Sequence, residues 1–107
     1  MSSVTFTISE TKSGLQPSPT SAVVTSSNTD LVFVLDGSAA VDYCLTGYTA
    51  TDHRGQLGSA KISTDGTNMV VADANTAAET MNINVTVVHR KHQTTHIVDP
   101  EVTNEPP

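Results

Sequence analysis

The stretch "MNINVTVVH", residues 81–89, decides the fold. Met81, Ile83, Val85 and Val87 alternate with Asn82, Asn84 and Thr86, and a period of two sends successive side chains to opposite faces of a strand. Upstream, "DANTAAE" (73–79) is a polar connection with room for a helical turn over 76–80. Before it, Ala60 to Ser63 and Met69 to Asp73 flank Asp65-Gly66, a hairpin signal because glycine tolerates the positive φ of tight turns. Downstream, Thr94 to Val98 reads as the returning strand of a last hairpin.

The same alternation recurs towards the N-terminus. Val4, Phe6 and Ile8 alternate with threonine and serine, and Val41, Tyr43 and Leu45 alternate with Asp42, Cys44 and Thr46. Between them, residues 11–20 hold Gly14, Pro17 and Pro19 and read as a loop or edge crossing, and Ala22 to Thr25 as a short edge strand. Leu31 to Leu35 is apolar at every position, which predicts a central strand covered on both faces or deep in a sandwich. No stretch of ten residues has a helical period. The composition agrees: 17 threonines suit a pleated surface, and with only two Phe, two Tyr and no Trp the core falls to aliphatic residues.

These strands predict an all-β protein, an antiparallel β-sandwich of about seven strands in a single domain over residues 1–98. "DPEVTNEPP", residues 99–107, has three prolines and two glutamates and reads as an extended acidic tail. Its deletion from Glu101 onward is expected to change stability by less than about 1 kcal/mol. The segment "MVVADANTAAETMNINVTVVH" resembles the E strand, crossover and F strand of bacterial immunoglobulin-like domains. The resemblance runs over roughly residues 69–98 and implies the fold class alone. Met81 or Ile83 stands where those domains commonly place a tyrosine, and the paired cysteines and core tryptophan of antibody domains are absent.

Charge narrows the function. The formal net charge is −6, with the acidic residues spread along the chain, so nucleic acid and anionic membrane surfaces are excluded as partners. A single cysteine, Cys44, excludes an internal disulfide. No basic segment followed by an apolar run stands after Met1, which reads as cytoplasmic as the chain stands. Asn84-Val85-Thr86 fits a glycosylation sequon but lies inside a strand pattern.

"VVHRKHQTTHIVD" (87–99) is the stretch richest in chemistry, with three of the four histidines. A four-residue loop over 91–94 sets His89 opposite His96, about 5 Å apart at Cβ, as two ligands of a Zn²⁺ or Cu²⁺ ion with His92 reaching in from the tip. The competing reading is an exposed hairpin tip. Cys44 with His53 as base, the Asp52-His53-Arg54-Gly55 loop, and Asp73, Asn75 and Glu79 at partly calcium-like spacing complete the candidates. None forms a catalytic constellation, so the expectation is a small non-catalytic structural or protein-interaction module without cofactor. It would meet another protein or a second copy through a sheet edge or loops. The alternative is a metal-binding protein using His89, His96 and His92.

Overall fold

Alternation does most of the work in the computed structural model, which describes residues 2–107. Strand β1 (Ser3–Thr11) buries Phe6 and Ile8 and turns its threonines away. It folds back through Gly14, at φ 103°, into β2 (Gly14–Ser18), so the predicted loop is a paired edge strand. After β3 (Ser21–Val24), β4 (Thr29–Leu35) buries Leu31, Phe33 and Leu35 while Val32 and Val34 remain half-buried. The apolar run is therefore central in its sheet but covered on one face only.

A five-residue helix, α1 (Ser38–Asp42), then interrupts the alternation that had suggested a strand from Val41. Gly37, at φ 55°, turns the chain, Ala39 is buried, and Val41 is 73 % exposed on the turn's outer side. Strand β5 (Tyr43–Ala50) follows, with a bulge between Leu45 and Gly47, and then the small hairpin of β6 (Lys61–Ile62) and β7 (Asn68–Asp73) across the Asp65-Gly66 turn. The connection at 74–78 forms no helical turn; it leads into β8 (Glu79–His89), the chain's longest strand. Strands β9 (Thr95–Val98) and β10 (Glu101–Asn104) complete the chain.

Strand accounts for 58 % of the residues and helix for 5 %, so the protein is all-β. Among the described residues ten strands form two sheets, rather than the seven or so expected. One runs β2-β1-β4-β7-β6; the other runs β3-β10-β8-β5, with β9 also on β8. Strand β8 is long enough to pair with β10 along Glu79–Asn82 and with β9 along Val85–Val88 on one edge, and with β5 on the other. The sheets are mixed, which corrects the antiparallel expectation. β1 pairs with β4 and β3 with β10 in parallel, because neither pair is joined by a hairpin. Phe6 and Phe33 stack at 5.3 Å between the sheets, with Met69, Met81, Ile83, Val85 and Val87 around them in one core. Among the described residues, no helix is long and apolar enough to cross a membrane.

Residues 99–107 are not a tail. Pro100 cannot donate, but its carbonyl accepts from Ile83 N at 2.9 Å, and Glu101 N donates to Thr20 O at 3.0 Å. Val102 is fully buried and Asn104 is 1 % exposed. β10 thus lies between β3 and β8 and is the only strand that ties β3 into its sheet.

Candidate functional site

The histidine hairpin closes one residue earlier on each side than the spacing suggested. His96 lies opposite Val87 and Thr95 opposite Val88, and His89 N donates to Thr94 O at 2.9 Å, leaving Arg90 to Gln93 as the loop. This register keeps Val98 inward against Val85, and it separates His89 from His96 by a diagonal step. The loop is built on the His89 ring. Its Nδ1 accepts from Lys91 N at 3.2 Å and from His92 N at 3.1 Å, which assigns the ring's proton to Nε2, and Gln93 takes φ 57° to complete the turn.

Tyr43, whose place here no sequence pattern signalled, lies between the histidines. Its ring meets His89 edge-on at 4.9 Å and His96 at 5.5 Å, and His92 stacks on His89 at 4.5 Å. The phenol donates to Glu10 Oε2 at 3.1 Å, and Ser38 Oγ donates to Glu10 Oε1 at 3.0 Å. Burial, and then the Glu10 carboxylate, push the phenol above its ordinary titration range. The arrangement forms an aromatic cap over the end of the core, in which one nitrogen of His89 holds the loop and His96 Nε2 pairs with Thr94 Oγ1. Among the described residues no three His, Cys, Asp or Glu side chains are grouped to hold a metal. Cys44 is half-buried; a Cβ placed on Gly66 would lie 2.7 Å from its own Cβ, so the β6–β7 turn covers it, and no contact joins it to His53.

The other nominated loops meet around the β7–β8 connection. Gln56, buried, accepts from Thr76 N at 2.6 Å and Ala77 N at 3.1 Å, so it clamps the connection. Asp52 accepts from Gln56 N and Leu57 N. Partial burial raises its carboxyl, and these bonds outweigh that and hold it below the usual range. Glu79 accepts from His53 N at 3.0 Å and is raised, first by burial and then by its bond to Asp52. The calcium-like trio is thereby split. Glu79 turns to Asp52, while Asp73 turns inward and accepts from Nδ2 of Asn104, a residue that sequence reading had assigned to the tail, and the Asn75 amide donates to Val24 O, Ser26 O and Glu105 O.

Sheet edges are the remaining candidate. β2 carries Pro17, β6 has two residues, and β5 is bulged and held at Leu45 N by Gly66 O. These are the ordinary means of closing an edge to further pairing. β3 differs. Thr20 O and Val24 O accept from β10 and from Glu105 N just beyond it, so by alternation Ser21 and Val23 direct their N–H and C=O away from it. Val23 is 54 % exposed and borders a cleft of about 180 Å³ shared with Ser3, Val4, Thr25 and Thr29.

No protein-family model matches the chain, and a search of curated proteins returns no match. Among solved structures, the chain is similar to that of an inclusion body protein, PixA, from Burkholderia cenocepacia, at a TM-score of 0.46 and 8 % identity. The match covers 97 % of this chain and 77 % of that one.

Proposed function

We propose that this chain is a non-catalytic binding module on an immunoglobulin-like scaffold, and that a second copy adds to the free edge of β3. The observation that carries the reading is the outward-facing backbone of Ser21 and Val23 on an edge that no proline, bulge or turn covers. Strand addition of this kind draws its affinity from main-chain bonds and its selectivity from the side chains beside them. Charge favours self-pairing. Residues 13–29 contain no charged side chain in a protein of net charge −6, so two such edges can meet without opposing carboxylates. Antiparallel pairing of two β3 strands about a twofold axis is self-complementary and gives a closed dimer. The scaffold reading is supported by β7, the 74–78 connection and β8, which pass from one sheet to the other in the order that the resemblance implies.

The test is sedimentation over a range of concentrations. The wild type is expected to dimerise reversibly. Val23→Pro removes one outward donor while leaving the β10 ladder intact, and Val23→Lys charges the edge; both are expected to remain monomeric with unchanged circular dichroism. A wild type that stays monomeric at every concentration, or variants that dimerise equally, would overturn the reading.

A further inference from the structure

Asp73 is fully buried at the end of β7, and the polar groups around it do not balance a charge. Its Oδ1 accepts from Asn104 Nδ2 at 2.8 Å and from Asn75 N at 3.1 Å. Its Oδ2 has no partner, and neither does Asn104 Oδ1. These two bare oxygens are the remaining atoms of the same carboxyl and the same amide that already share one short bond.

We infer that Asp73 is protonated in the folded protein at neutral pH and donates Oδ2–H to Asn104 Oδ1, so that acid and amide form a two-bond ring locking β10 to β7. One proton then satisfies both orphaned acceptors, which matters because a buried polar atom left unpaired costs more than a bond contributes. It also removes the charge. An ionised carboxylate buried without a cation is among the least favourable groups a core can hold, and it takes up a proton instead.

The surroundings supply no substitute for that proton. Thr29, opposite on β4, is neutral and its hydroxyl donates to Ser26 O; Leu57 lies across from the preceding loop. Asn75 spends its amide N–H groups on Val24 O, Ser26 O and Glu105 O. The charged group acting on Asp73 from the 51–58 loop is Asp52, itself acidic, and Glu79 on β8 engages Asp52 and His53 N. No basic side chain among the described residues bonds to Asp73. Burial and then Asp52 raise the carboxyl against the opposing pull of its two hydrogen bonds.

The lock has a pH sign. A carboxyl raised in the fold contributes stability that is complete below its unfolded value and is lost as pH rises through its folded value. Alkaline conditions are therefore expected to loosen β10, and with it β3.

Carboxyl ¹³C titration of the wild type tests this directly. The Asp73 Cγ resonance is expected to keep its protonated position at pH 7, where the exposed aspartates have long ionised. Asp73→Asn copies the protonated acid, since its amide offers one donor and one acceptor to Asn104. Its melting temperature should match the wild type's below about pH 4, should exceed it at pH 7, and should lack the decline that the wild type shows as pH rises from the unfolded carboxyl value of about 3.9 towards the raised folded one. An Asp73 resonance that titrates with the exposed aspartates would overturn the inference. So would a wild-type melting temperature that rises with one equivalent of Ca²⁺ while Asp73→Asn is both destabilised and unresponsive, because a cation and not a proton would then neutralise the carboxyl.

Discussion

Deleting residues 101–107 removes only seven residues, yet it takes away a strand that lies inside its sheet. Burial of Val102 contributes about 2 kcal/mol. The Asn104 bond to Asp73 contributes about 1 to 3 kcal/mol, because its loss leaves a buried carboxyl with one partner fewer. Backbone bonds such as Glu101 N to Thr20 O at 3.0 Å and Glu105 N to Val24 O at 2.8 Å add about 1 kcal/mol each. β3 loses its only neighbour, and the edge of β8 over Glu79–Asn82 is bared. The total, on the order of 6 kcal/mol, equals the whole stability of many small domains. The truncated chain should therefore show no cooperative urea transition by circular dichroism. The milder Val102→Ala should cost about 2 to 3 kcal/mol from two lost methyl groups and the cavity they leave, and lower the melting temperature by about 10 °C or more. A truncated protein that unfolds cooperatively within about 1 kcal/mol of the wild type would refute the reasoning and restore the tail.

Gly66→Ala should destabilise by about 2 kcal/mol in the same assay. The added Cβ would meet Cys44 Cβ at 2.7 Å, and φ is 75°; a variant of wild-type stability would mean that the turn does not press on β5 as described. The Asp65 carboxylate accepts from Ser63 Oγ at 2.7 Å, Thr67 N at 3.1 Å and Thr67 Oγ1 at 2.8 Å, and these bonds hold its pKa at about 2. Because the folded value is depressed, the turn's contribution is present above the unfolded value of about 3.9 and is lost as pH falls through about 2. Amide exchange at Thr67 should accelerate over that window, and Asp65→Asn should abolish the pH dependence. An unchanged acid profile in that variant would assign the effect elsewhere.

The extended site was only half legible. His89, His92 and His96 do gather at one end of the molecule, as their spacing suggested, but two backbone N–H groups on His89 Nδ1 and the partners Tyr43 and Glu10 give the cluster its form. Those partners lie far away in sequence, and nothing in the pattern around Glu10 distinguishes it from a solvated edge glutamate. Asp73 stood out only within a partly calcium-like trio with Asn75 and Glu79, while Asn104, which bonds to it, was hidden in a stretch whose prolines read as an extended tail.

What the sequence alone determined is whatever depends on near neighbours. Alternation over residues 81–89 and 4–8 imposes strands on any chain that must bury one face, Asp65-Gly66 imposes a turn, and both follow from backbone geometry within a few residues. Parallel pairing of β1 with β4, the two-residue change in the hairpin register, and insertion of β10 between β3 and β8 belong to the tertiary structure. Glu101 to Asn104 is too short to show a period, and one buried valine cannot hold a strand by itself. It is ordered because Val102 packs beside Met81 of β8 and Asn104 bonds to Asp73 of β7, partners that come together only after residues distant in sequence have packed.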